Sequence, residues 1–267
     1  MNAHATAPER PAIPGVNHIL AVASGKGGVG KSTTAVNLAA AMAAKGAAVG
    51  LMDADIYGPD VPVMMGVREK PGMSEEGRLL PLQSYGVKLM SLGLLADAGV
   101  PVIWRGPMLS KIVTQFLNDV EWAPLDCLVV DMPPGTGDVQ LTLTQAASID
   151  GAVIVTTPQP VALEDVRRGV RMFREVNVPV FGVIENMSMY VCPKCGTRTD
   201  IFGHGGGAKT AEFYDVPFLG HIPLDTEVRR AGDAGAPVTV LAPESEAARV
   251  YSDIAEGLLA AMENNGR

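Results

Sequence analysis

Gly25-Lys26-Gly27-Gly28-Val29-Gly30-Lys31-Ser32 follows the apolar run His18-Ile-Leu-Ala-Val-Ala-Ser24 and opens an alanine-rich stretch that reaches Lys45. The octapeptide fits G-x-x-x-x-G-K-[ST]. A strand, then a glycine-rich turn, then a helix is the setting in which that pattern cradles phosphates. Its backbone N–H groups close around the phosphate oxygens. Lys31 is placed to reach the β- and γ-phosphates, and the Ser32 hydroxyl, with Thr33 beside it in the same turn, faces the Mg²⁺ that accompanies them. The start of the helix adds partial positive charge. A second contact to that Mg²⁺ is expected from an acid at the end of a neighbouring strand. Asp131, closing Asp126-Cys-Leu-Val-Val-Asp131, suits that role.

Outward from this loop the pattern repeats as strand, loop, helix. Strands are expected at 47–54, 86–92, 126–131, 152–156, 179–186 and 216–222. Helices are expected at 30–45, 107–118, 138–147, 161–176 and 244–262. Gly46 is placed as the end of the first helix. Within 161–176, Leu163, Val166, Val170 and Phe173 fall on one face. Strands apolar on both faces that alternate with helices imply an α/β fold: one P-loop NTPase domain with a largely parallel central sheet covered by helices on both faces. Residues 1–17, polar and proline-containing, read as a disordered arm ahead of a single domain spanning 18–267. No internal repeat is present.

Composition narrows the function. Hydrophobic residues are 47% of the 267, enough for a large core, and charged residues only 19%. The net charge of −8 argues against non-specific nucleic-acid binding, which needs clustered Lys and Arg. No secretory leader or membrane-spanning run is found, and three cysteines are too few and odd in number for a disulfide framework. A cytoplasmic protein, with neither nucleic acid nor membrane as partner, is the expectation.

Two of the three cysteines form Cys192-Pro-Lys-Cys195, a knuckle whose thiolates reach one metal centre but supply only half of a tetrahedral set. Two completions and one other role are open. His204 and His221 of the same chain could add two nitrogens for zinc. A two-fold axis could bring two knuckles together as a Cys₄ site for zinc or a [4Fe–4S] cluster. The pair could instead be a redox dithiol, although it does not open a helix that would lower its pKa. Cys127, inside an apolar strand, reads as core.

Taken jointly, Lys26 within the phosphate loop, Asp53-Ala-Asp55, Asp131-Met-Pro-Pro-Gly-Thr-Gly-Asp138 and the Cys192/Cys195 knuckle resemble the Mrp/ApbC branch of the deviant Walker A ATPases. That superfamily includes MinD, ParA and the nitrogenase iron protein, and the likeness extends over about residues 17 to 260. The resemblance implies an ATP-dependent iron–sulfur cluster carrier. It implies a homodimer that holds two ATP molecules face to face and a [4Fe–4S] cluster shared between the chains through Cys192 and Cys195, with apo iron–sulfur proteins as clients. By the same resemblance Lys26 reaches the partner's nucleotide, Asp55 orients the attacking water, Asp53 lies beside Mg²⁺ or supports the first switch, and Asn186 contacts adenine. Phe202 to Gly207 matches the family's F-G-x-G-G-G. A positioning or segregation ATPase similar to MinD or ParA is the rival reading. The chain lacks a basic amphipathic C-terminal helix, and its acidic balance and cysteine knuckle favour the carrier.

Overall fold

The structure is a computed structural model that describes residues 11–55, 58–95, 106–135 and 138–265. Ten strands are described: β1 (Val16–Ala23), β2 (Val49–Asp53), β3 (Leu82–Ser84), β4 (Val87–Ser91), β5 (Leu125–Asp131), β6 (Gly151–Thr156), β7 (Val180–Glu185), β8 (Tyr190–Val191), β9 (Arg198–Thr199) and β10 (Phe218–His221). Between them run α1 (Lys31–Ala44), α2 (Val61–Met64), α3 (Gly106–Asp119), α4 (Asp138–Ala146), α5 (Pro160–Glu175), α6 (Gly206–Phe213), α7 (Thr226–Asp233), α8 (Val238–Leu241) and α9 (Glu246–Asn265). Eight strands form one sheet in the order β10-β7-β6-β1-β5-β2-β4-β3, while β8 and β9 make a separate hairpin.

Only the edge strand β3 is antiparallel in that sheet. The turn Tyr85-Gly86, with φ of 50° and 76°, joins it to β4, since positive φ at both central residues matches the twist of a two-residue hairpin. The third strand expected at 86–92 is therefore the second arm of a hairpin, followed by one 3₁₀ turn at Leu92–Leu94.

Alternation along β1 divides the core. Leu20 and Val22 face one cluster, with Val36, Leu38 and Met42 of α1 and Tyr251, Ile254, Leu258 and Met262 of α9. Ile19, Ala21 and Ala23 face the other, with Phe116 and Leu117 of α3, Leu143 of α4, Val166, Val170 and Phe173 of α5, and Ala211 of α6. The two-residue period of a strand thus produces the helix–sheet–helix sandwich. α1 buries ten of its residues, because α9 covers the side that the sheet does not. Its small alanines let α9 approach closely, and each fully buried Leu or Met there contributes about 1.5–3 kcal/mol.

The expected N-terminal arm ends earlier than residue 17. Ile13 is buried in the α3–α6 side of the core, and β1 already begins at Val16. Pro11 C=O accepts a hydrogen bond from the Ser148 N–H. Residues 1–10 lie outside the described set. Among the described residues, no helix is long and apolar enough to cross a membrane.

Candidate functional site

All parallel strands deliver their carboxyl ends to one edge of the sheet, where open α/β sheets bind ligands. The phosphate loop follows β1, the Asp53–Asp55 turn follows β2, Asp131 ends β5, Asn186 follows β7 and Pro223 follows β10. Gly30 has φ of 82°, and a Cβ there would lie 2.2 Å from Asn186 Nδ2. Glycine therefore satisfies both the left-handed turn and the close approach of Asn186. Gly30 precedes α1 as its N-cap and carries no capping side chain, so the first-turn amides stay available to an anion.

Lys31 is buried, and its ammonium lies 2.6 Å from Asp131 Oδ1, 3.4 Å from Asp55 Oδ2 and 3.2 Å from Ser32 Oγ. The sheet register places Asp53 directly opposite Asp131 on the adjacent strand. Asp53 accepts the Ser91 hydroxyl at 2.8 Å and the Asp55 N–H at 3.0 Å. It thereby holds the turn that carries Asp55. Burial, and then the negative charge of Asp131, push the Asp53 carboxyl well above its ordinary range. Burial also raises Asp131, against the pull of Lys31. Asp131 Oδ2 is buried with no hydrogen-bond partner. Two carboxylates, Asp55 and Asp131, thus face one lysine, with Asp53 opposite Asp131 on the next strand and an orphan oxygen on Asp131. That surplus of negative charge and oxygen donors fits a hard dication such as Mg²⁺.

Beside this cluster opens a cavity of about 570 Å³, lined by Lys26, Gly27, Gly28, Gly30, Lys31, Ser32, Thr33, Asp55, Asn186 and Met187. Its volume is in the range of small-molecule sites. Asn186 Nδ2 donates to the Val29 C=O at 2.8 Å, tying the end of β7 to the phosphate loop. Lys26 is partly exposed on the cavity wall, and among the described residues no carboxylate pairs with it. The opposite wall was not anticipated from sequence: Asp60 and Met64 around α2, Pro223–Asp225 after β10, and Arg229 and Asp233 of α7. Their only sequence signal is position, since Pro223 follows the last strand at the binding edge. Of the Asp131–Asp138 motif, residues 136 and 137 lie outside the described set.

The cysteine knuckle is the tip of the β8–β9 hairpin. Cys192 N–H donates to the Thr197 C=O, and Gly196 N–H to the Cys192 C=O. Cys192 is partly exposed and Cys195 exposed. Cys195 Sγ lies 3.2 Å from Thr197 Oγ1. Hydrogen bonding to Thr197, and next to Cys192, holds its thiol below the ordinary range. Cys127 is wholly buried against Met262, and burial pushes its thiol up to about 12, as befits a core residue. The intramolecular zinc option is not what the chain builds: His204 and His221 converge with Glu185, and neither cysteine of the knuckle belongs to that group.

The family model described as ParA, NUBPL iron-transfer P-loop NTPase, matches residues 15–259. An iron-sulfur cluster carrier protein of Deinococcus radiodurans is 53% identical over 250 residues, covering 93% of this chain and 71% of its own. The mouse iron-sulfur cluster transfer protein NUBPL is 48% identical over 260 residues, 97% of this chain and 82% of its own. A nucleotide-binding protein from Archaeoglobus fulgidus, solved in complex with ADP, is 38% identical with a TM-score of 0.74, covering 82% of this chain and 87% of that one. The cell division ATPase MinD of Pyrococcus furiosus has a TM-score of 0.70 at 21% identity, covering 92% and 99%, a likeness of fold.

Proposed function

This chain belongs to the ParA family of P-loop NTPases, in its NUBPL iron-transfer group, and from that premise we propose that it is an ATP-hydrolysing carrier of iron–sulfur clusters. The cargo is a [4Fe–4S] cluster held between two copies by Cys192 and Cys195 of each, and it passes to apo-proteins. The observation that carries this reading is the exposed cysteine knuckle. It offers two thiols at one hairpin tip, and among the described residues no third metal ligand joins them. A second copy related by a two-fold axis supplies the missing pair. Cargo held by two thiols per chain at an exposed hairpin suits release better than permanent residence.

At the nucleotide site, Lys31 exchanges its carboxylate partners for the β- and γ-phosphates. Ser32 and Asp131 hold the Mg²⁺, with Asp53 behind them. That ion, when bound, would supply charge neutralisation at the phosphates. Asp55, released from Lys31, accepts a hydrogen bond from the attacking water and orients it. Lys26, with no carboxylate paired to it among the described residues, reaches the nucleotide of the partner copy and stabilises charge that spreads in the transition state. Asn186 lies between the phosphate loop and the cysteine hairpin, six residues before Cys192. Nucleotide state therefore bears on how the hairpins face each other, and the coupling is reciprocal.

The test is transfer from reconstituted protein to an apo acceptor with ATP, ADP or no nucleotide. Wild type is expected to transfer at nucleotide-dependent rates. Asp55→Asn is expected to bind ATP, stall hydrolysis and fix transfer at the ATP-bound rate. Identical rates in every state, with nucleotide affinity unaffected by the cluster, would refute the coupling and leave two independent sites.

A further inference from the structure

Glu185 ends β7 with its side chain fully buried. Its Oε2 accepts the Gly207 N–H at 2.6 Å and its Oε1 the Gly205 N–H at 3.0 Å, at the start of α6. A Cβ on Gly207 would lie 3.0 Å from Glu185 Cβ. The glycine loop is thus shaped to this carboxylate. Burial alone would raise the Glu185 carboxyl, but hydrogen bonds from Ser188, from Gly207 and Gly205 and from His221 hold it below its ordinary range.

Buried charges are paired or bind metals. Among the described residues the only basic groups that pair with Glu185 are two histidines. His221 Nδ1 is 3.1 Å and His204 Nδ1 3.8 Å from its Oε1, and each ring is about a third exposed. Both Nδ1 atoms point to one spot. The Ser188 hydroxyl fills that spot, at 2.8 Å from His204 and 3.0 Å from His221, and donates to Glu185 Oε1. The ring centroids are 4.5 Å apart, and Phe218 packs 4.6 Å from His221. One ligand atom from each of Glu185, His204 and His221 lies within 4.8 Å of the other two. Ligands about 2.0–2.1 Å from a tetrahedral centre are themselves about 3.3 Å apart. The observed separations from Oε1, 3.1 and 3.8 Å, bracket that value.

We infer that Glu185, His204 and His221 form a binding site for a first-row divalent cation, one per chain, separate from both the cysteine knuckle and the Mg²⁺ of the phosphate loop. Two imidazoles and a carboxylate on one side of a centre, with the remaining positions open, suit Fe²⁺, Co²⁺ or Zn²⁺ rather than Mg²⁺ or Ca²⁺. The ion would displace the Ser188 hydroxyl from the focus of the three ligands and neutralise the buried carboxylate. Both rings would carry their proton on the outward Nε2. Asn186, which closes the nucleotide cavity, is the next residue after Glu185, and His204 lies on the loop that follows the cysteine hairpin. The ion would therefore pin that loop to the end of β7.

The test is equilibrium dialysis of the full nucleotide-free chain against micromolar Zn²⁺ with millimolar Mg²⁺, in a Cys192→Ser/Cys195→Ser background that removes the knuckle. One zinc per chain is expected. His204→Ala and His221→Ala, both at partly exposed positions, are each expected to weaken it at least tenfold while ATP–Mg²⁺ binding, measured in parallel, confirms a folded protein. Co²⁺ in place of zinc should show visible d–d bands that these variants lose. No zinc retained in the cysteine-free background, or zinc retained equally by both histidine variants, would overturn the site.

Discussion

Replacing Asp131 with Asn tests how the nucleotide site manages its charge. In the nucleotide-free structure Lys31 is neutralised 2.6 Å from Asp131, inside the protein, and Asp131 Oδ2 has no other partner. A triphosphate that takes Lys31 away leaves this carboxylate buried and unpaired, and breaking a buried pair in that way costs about 3–5 kcal/mol. Mg²⁺ removes the cost by taking the carboxylate as a ligand. Without the ion Asp131 can relieve it by binding a proton, and burial has already raised its pKa, so the lower end applies. About 3 kcal/mol is roughly 10²-fold in affinity. Wild type should therefore bind ATP about 10²-fold more weakly in EDTA than in Mg²⁺. In Asp131→Asn no buried charge is abandoned, so the ratio should fall below about tenfold, from tighter binding in EDTA and weaker binding in Mg²⁺. Titration calorimetry of both proteins in both buffers gives the four constants. Equal wild-type affinity in EDTA and Mg²⁺, or an undiminished ratio in the variant, would refute the reasoning.

Two other outcomes follow from the same geometry. Lys26→Ala should keep ATP affinity within a few-fold and lose turnover by roughly 10³-fold or more, the scale of a cation supplied to the transition state, and steady-state phosphate release beside nucleotide titration separates these. Asp53→Asn concerns pH. The folded-state pKa of Asp53 is raised, chiefly by burial, so the stability its protonated form contributes is complete below the unfolded value of about 3.9 and is lost as pH rises from there through the folded pKa. The nucleotide-free variant should therefore gain in Tm over wild type as pH is taken from 4 to 7, and a difference that is flat or reversed across that window would contradict the assignment.

How much of this was legible in sequence depends on whether the signal is local. The phosphate loop and Asp131 could be read because a motif and a strand end lie within a few residues of their neighbours. The parallel sheet was legible because its strands, such as β5 and β6, are apolar on both faces. Asp55 and Lys26 gained roles only through the resemblance, since a lone carboxylate or lysine in a loop carries no pattern. The far wall of the cavity was not legible: Asp60, Pro223 and Arg229 meet only after the chain has crossed the sheet. The same holds for Glu185, Ser188, His204 and His221. The two histidines enter the sequence reading only as one of the open completions of the cysteine pair, because Glu185 lies inside a stretch that reads as a buried strand. The burial of Ile13 was not legible because Pro14 and Gly15 separate it from Val16, too short a stretch for any period to show.

The central claim is most directly tested by counting iron and acid-labile sulfide per chain after anaerobic reconstitution, with native mass measured on the same sample. The account predicts about four irons and four sulfides per two chains, on a dimer, as expected for one [4Fe–4S] cluster on four thiolates. Cys192→Ser and Cys195→Ser should each abolish the cluster and leave ATP binding intact, while Cys127→Ala keeps it. A full cluster on a monomer, or a cluster retained in both knuckle variants, would contradict it.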